Sequence, residues 1–112
     1  MNKAIRLNAA DNVATLLADV QNGEQIHVIS ASNELEGVIT LLQDIPFGNK
    51  VAWQPMQQGQ TVIKGSFSIG KSIKPIAIGQ MVHVHNVRSL KLDIPDAIIQ
   101  QIIQQMNIQE DV

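Results

Sequence analysis

The chain contains no cysteine, which excludes disulfides, thiolate metal sites and a cysteine nucleophile. It has no tyrosine, and Trp53, Phe47 and Phe67 are its only aromatics, 3% of the residues. Its core must therefore be built from Ile, Val, Leu, Ala and Met. No apolar run approaches the roughly 20 residues that a membrane span needs. The opening Met1-Asn2-Lys3-Ala4-Ile5-Arg6-Leu7-Asn8 has no apolar signal core. These absences predict a soluble, cytoplasmic protein with no membrane partner. Acid is also missing over a long stretch, since residues 45–92 hold no Asp or Glu.

At 112 residues and 12.3 kDa, with 45% hydrophobic residues, the chain fits one domain with a real core. It is too small to enclose a deep substrate pocket as well, so a partner chain or a homo-oligomer is expected to complete any active site. The net charge of −2 is unevenly spread. Residues 1–44 carry two bases and six acids, residues 45–92 six bases and no acid, and residues 93–112 four acids and no base. The middle is a cationic block in an acidic protein, readable as solvated surface lysines or as a site for an anionic ligand.

Glycines at 23, 37, 48, 59, 70 and 79 separate short segments rich in Val, Ile and Thr. That punctuation predicts a mostly β domain with strands at residues 3–7, 12–17, 25–29, 37–42, 50–53, 61–64 and 81–87. Residues 11–20 also fit a helical stripe capped by Asp11, and both readings stay open. No internal repeat is evident. After Pro95 the pattern changes: Ile98, Ile99, Ile102, Ile103 and Met106 make one apolar stripe opposite Gln100, Gln101, Gln104 and Gln105. This predicts a C-terminal amphipathic α-helix, packed on its own domain or on a partner. The domain boundaries follow as residues 1–92 and 93–112.

Two motifs carry chemistry. Gly65-Ser66-Phe67-Ser68-Ile69-Gly70-Lys71-Ser72 matches the phosphate-loop pattern letter for letter. Such a loop must open a helix, and Pro75 and Gly79 oppose one here, so no nucleotide is expected. Val82-His83-Val84-His85 reads as a strand in which both imidazoles project from one face, Cα atoms about 6–7 Å apart. They are candidates for proton transfer or for sharing a metal, although a catalytic metal normally takes three protein ligands. Asn86 and Arg88 follow with an amide and a fixed cation. His27 reads as structural or exposed. Lys50 and Lys64 lie in strand-like segments with apolar neighbours, where a lysine either extends to the surface or presents a charge or a tuned amine to a carboxylate.

The ordered series Asp44-Ile45-Pro46-Phe47-Gly48-Asn49-Lys50-Val51-Ala52, Gly59-Gln60-Thr61-Val62-Ile63-Lys64, Ile69-Gly70 and Gly79-Gln80-Met81-Val82-His83-Val84-His85-Asn86-Val87 resembles the small SAF-type domain of the altronate and galactarate dehydratase family. Asp11-Asn12-Val13-Ala14 matches its opening segment, and the resemblance covers residues from about 3 to 90. It implies a β-clip fold and a dehydratase that removes water from a hydroxylated sugar acid. It also implies a divalent metal, often iron, and a larger catalytic dehydratase chain, to which this chain would stand as a separate small subunit. On that basis His83 and His85 are expected to handle protons or metal, Lys50, Lys64 and Arg88 to contact the substrate carboxylate, and Asn86 to orient a substrate hydroxyl or one of the two histidines. Two departures stand out: Asn49 where the family usually has His, and Gly65-Ser66 where it usually has Tyr-Gly. A non-catalytic ligand-binding or assembly module is the alternative reading. A nucleic-acid binder, using the cationic block with the three aromatics as stacking platforms, is disfavoured by the acidic pI of about 5.8.

Overall fold

The computed structural model describes residues 1–110. Nine strands run β1 Lys3–Arg6, β2 Val13–Leu16, β3 Gln25–Ser30, β4 Leu35–Thr40, β5 Lys50–Ala52, β6 Thr61–Lys64, β7 Phe67–Ser72, β8 Met81–Val82 and β9 Val87–Ser89, followed by helix α1 Asp96–Met106. The larger sheet has the order β4-β3-β1-β2-β5-β8 and the smaller β6-β7-β9. All pairs are antiparallel except β1 with β3.

Strands β2, β5 and β8 are buried on both faces, which explains their lack of apolar–polar alternation. Ala14, Val51 and Met81 point into one apolar cluster with Leu16, Ile26 and Leu41. Their neighbours Val13, Ala52 and Val82 point the other way, into a second cluster with Met56, Val62 and Ile76 between the sheets. Residues 11–20 are not a helix: Val13 to Leu16 pair with both β1 and β5. Asp11 caps no helix. Its buried carboxylate instead accepts the backbone N–H groups of Asn8, Gly65 and Ser66 at 3.2, 2.7 and 2.9 Å. The Asn12 amide accepts from the Ile63 N–H at 2.9 Å and donates to the Thr61 carbonyl at 3.0 Å. Together they clamp the β6–β7 hairpin onto the large sheet.

The phosphate-loop lookalike is that hairpin. Gly65 and Ser66 both have positive φ, 58° and 68°, as a two-residue hairpin turn requires. Strand β7, unanticipated in the sequence, occupies the remainder.

A repeat invisible to residue matching emerges in the turns. Residues 21–24, 46–49, 57–60 and 77–80 each form a turn closed by an N–H to carbonyl bond of 3.1–3.2 Å from fourth residue to first, with glycine third. Each glycine N–H donates to the carbonyl of a strand-end residue, Leu41, Leu16, Ser72 or Ala52, whose own N–H donates back to the carbonyl of the turn's fourth residue. The residues preceding the turns pair as Val20 with Ile45 and Met56 with Ile76. In three turns the side chain of the fourth residue, Glu24, Gln60 or Gln80, accepts the N–H of the first. In the remaining turn that first residue is Pro46, which has no N–H. There Asn49 reverses the bond and donates its amide to the carbonyls of Pro46 and Phe47 at 3.2 and 3.4 Å.

Helix α1 is flanked by the caps Pro95 and Asn107; the Asn107 N–H reaches the carbonyls of Gln104 and Ile103, and its left-handed φ of 53° turns the chain so that the Ile108 N–H also reaches the Ile103 carbonyl, at 3.0 Å. Ile99, Ile103 and Ile108 are buried in the first apolar cluster of this same chain. The Gln43 side chain, itself buried, ties the two parts by donating to the Gln109 carbonyl and accepting the Met81 N–H. Asp111 and Val112 lie outside the described residues.

Candidate functional site

Residues 81–87 do not form one strand. Strand β8 ends at Val82, His83 to Asn86 form a turn, and β9 starts at Val87. The turn closes through N–H bonds from Asn86 and Val87 to the His83 carbonyl, at 3.1 and 3.0 Å. The Asn86 amide reinforces it, accepting the His83 N–H at 3.0 Å and donating to the Met81 carbonyl at 2.8 Å. Asn86 is 1% exposed and does not line the cavity described below. Its amide holds the turn rather than a ligand.

The turn separates the two histidines. His83 is half-buried and lines a cavity, whereas His85 is 5% exposed and does not line it. The expected shared imidazole face is thus absent. Burial, aided by the charge of Lys74 and by His83 and Arg88, pushes the pKa of His85 down to about 4. Among the described residues its buried Nδ1 has no hydrogen-bond partner, consistent with a neutral ring held by packing.

The cavity, of about 430 Å³, is lined by Lys50, Lys64, His83 and Arg88. These four come from β5, β6, the 83–86 turn and β9, hence from both sheets. Ile69, Val82, Val84 and Val87 make an apolar wall, and Leu92, Asp93, Ile94 and Ile99 bring the C-terminal segment over it. Sequence reasoning did not anticipate this cover, because the family-like series ends before it. Lys50 lies on an interior strand, opposite Thr15 of β2 and Val82 of β8. Burial, and secondarily the neighbouring Lys64 ammonium, lower its pKa from the ordinary lysine value. The Arg88 guanidinium is steadied by the carbonyls of Val84 and Val87. Among the described residues Arg6 and Glu36 make the one salt bridge, at 2.9 Å. None of the cavity cations is in such a pair.

His83 is locally constrained too. Its Nδ1 accepts the Val84 N–H at 2.7 Å, so the neutral ring carries its proton on Nε2. Burial and the Lys50 charge lower its pKa from the ordinary histidine value, which favours that neutral form. A metal-binding histidine has the opposite polarity, donating from one nitrogen while the lone pair of the other binds the ion. Among the described residues no group of three His, Asp or Glu side chains converges to hold a metal, and the cavity's ammonium and guanidinium groups would repel a cation. The donor set does not fit the divalent metal that the resemblance implies.

The aromatics do not form a stacking platform. Arg6 lies over the Trp53 ring, 5.6 Å from its centroid, and Gly37 is so close to the indole that a Cβ there would meet it at 2.7 Å. Phe47 and Phe67 are exposed.

The family model for the altronate/galactarate dehydratase SAF domain matches residues 2–90. This chain belongs to that family. It is 34% identical over 94 residues to altronate dehydratase of Bacillus subtilis (strain 168), covering 84% of this chain and 18% of that protein. To altronate dehydratase of Escherichia coli (strain K12) it is 38% identical over 85 residues, 76% of this chain and 16% of that protein. It is also 44% identical over 45 residues to (2R)-sulfolactate sulfo-lyase subunit alpha of Chromohalobacter salexigens, 40% of this chain and 48% of that one. The chain thus spans less than a fifth of the length of the two altronate dehydratases it matches. It is a mostly β SAF domain of a lyase family with one C-terminal helix, and none of its described helices is long and apolar enough to cross a membrane.

Proposed function

We propose that this SAF domain is the small subunit of a hydro-lyase, holding the carboxylate of a hydroxylated sugar acid while water is eliminated. The observation that carries the reading is the convergence of Lys50, Lys64 and Arg88, with His83, on one largely apolar cavity, where none of the three cations is in a salt bridge among the described residues. Elimination beside a carboxylate needs an anion clamp, a base and a donor for the charge that develops on oxygen. Lys64 and Arg88 form the clamp, the latter with its guanidinium already steadied by backbone carbonyls. Lys50, with its pKa lowered, is the amine best suited to take up a proton. His83 donates from Nε2–H to a substrate hydroxyl. The acid for the leaving hydroxyl, and the family's divalent metal, belong to a larger catalytic dehydratase chain. On this reading the pair works in the cytoplasm.

Calorimetry with gluconate, against the neutral polyol sorbitol, tests the clamp. Gluconate binds in a salt-dependent manner and sorbitol does not. Lys64→Gln and Arg88→Gln each weaken binding about tenfold, the scale of one charge-assisted hydrogen bond. Equal behaviour of acid and polyol would remove the reading. Asn49 favours a second reading, a non-catalytic binding module, because its amide is spent on the Pro46 turn. Binding without turnover, after a larger dehydratase chain is added, would select that one.

A further inference from the structure

Lys50 combines features that carbonyl-capturing lysines need and surface lysines lack. It sits on β5, between β2 and β8, rather than on the edge of its sheet. It lines a cavity walled by Ile69, Val82, Val84 and Val87, and Ile94 and Ile99 cover it. No carboxylate within salt-bridge distance stabilises its ammonium among the described residues. A second ammonium, that of Lys64, lines the same space. A lysine desolvated among apolar side chains beside another cation is an activated nucleophile, because its neutral amine is favoured. The lowered pKa of Lys50, from burial first and Lys64 second, agrees with that geometry.

We propose that Lys50 captures small 2-oxo acids as a reversible Schiff base, with Lys64 and Arg88 holding the carboxylate. This rests on the carboxylate-holding reading above. Elimination of water from a 2,3-dihydroxy acid gives an enol that ketonises to a 2-oxo acid, so the product carries a carbonyl beside the carboxylate that the clamp holds. The neutral Lys50 amine attacks that carbonyl carbon and the oxygen takes up a proton, giving a carbinolamine. Loss of water, with the proton leaving nitrogen, forms the C=N bond, and adding water back regenerates amine and 2-oxo acid. No oxidant or reductant is consumed. The apolar wall limits the water that would hydrolyse the adduct, and His83, which lines the same cavity, offers its Nε2–H as a donor to the departing oxygen. A domain that catches the product in this way would slow its own turnover as 2-oxo acid accumulates.

The test uses the 112-residue chain with pyruvate and sodium cyanoborohydride, which reduces a Schiff base to a stable secondary amine. The expected result is one reduced pyruvate per chain, mapped by peptide mass spectrometry to Lys50. It forms severalfold faster than the adduct with acetone, which lacks the carboxylate, and gluconate suppresses it. Lys50→Met abolishes the adduct while circular dichroism shows the fold retained, and Lys3→Met leaves it unchanged. Labelling spread evenly over exposed Lys3, Lys71 and Lys91 would overturn the proposal, as would equal rates with pyruvate and acetone. If gluconate still binds calorimetrically in that case, the carboxylate clamp survives and only the Schiff base falls. If neither acid binds, both fall.

Discussion

The Nδ1 atom of His83 accepts the backbone N–H of Val84 at 2.7 Å, and that bond determines which chemistry the imidazole can offer. With Nδ1 committed as an acceptor, the neutral ring presents a donor from Nε2. Nitrogen-15 correlation spectra are expected to show the Nε2–H tautomer. The His83 titration midpoint lies below the ordinary histidine value because of burial and the Lys50 charge. Lys50→Met removes the second cause and moves that midpoint upward; a midpoint that stays put would dissociate the two residues.

His85 couples folding to pH. Its folded pKa of about 4 lies below the ordinary 6.5, so the unfolded chain binds more protons between those values and stability rises with pH across that window. The contribution is complete near pH 7 and is lost as pH falls through 6.5 toward 4, the loss reaching about 2 kcal/mol at pH 5. Chemical denaturation at pH 7 and pH 5 checks this. His85→Leu flattens that part of the curve, leaving the contribution of His83, whose pKa is also lowered.

The Asp11 carboxylate holds the β6–β7 hairpin through Gly65 and Ser66, 54 and 55 residues away. Asp11→Ala leaves three backbone N–H groups without their acceptor, at a cost on the order of 3 kcal/mol. Asp11→Asn keeps one good acceptor oxygen and costs less. Hydrogen exchange at Gly65 and Ser66 reports the loss directly, since both amides become unprotected in the alanine variant.

Two of the equivalent turns respond differently to the same change. Gly79 has φ of 93° and a Cβ there would sit 2.2 Å from the Thr40 carbonyl oxygen, whereas Gly59, at 82°, has nothing within 4 Å. Gly59→Ala therefore bears only the backbone term, about 1 kcal/mol. Gly79→Ala adds a clash with backbone that cannot rotate away, bringing the loss to about 3 kcal/mol or more. Equal melting temperatures for the two variants would contradict the close approach of residues 40 and 79.

Loss of Asn86 is felt through the turn. Asn86→Ala frees the His83 N–H and the Met81 carbonyl, both paired to its amide, and costs about 2 kcal/mol of stability. A direct substrate contact would instead weaken gluconate binding at unchanged stability, so paired denaturation and calorimetry separate the two roles.

Much of this was legible in the residues alone. Val- and Ile-rich segments between glycines are strands because β-branched side chains suit a pleated sheet, and the isoleucine stripe after Pro95 is a helix because its spacing follows the helical turn. The acid-free middle of the chain, with the ordered family-like segments, marked the cations of the site. The alternation Val82-His83-Val84-His85 could not reveal a turn, since a period of two looks the same whether the backbone continues or folds back. Asn86 decided it, by spending both ends of its amide on Met81 and His83. The gathering of Lys50, Lys64 and Arg88 also belongs to tertiary structure, because they lie on strands of two sheets whose relative placement depends on long-range contacts such as Asp11 with the β6–β7 hairpin. Composition set which charges the site would have. Only the packing of one sheet on the other set which of them meet.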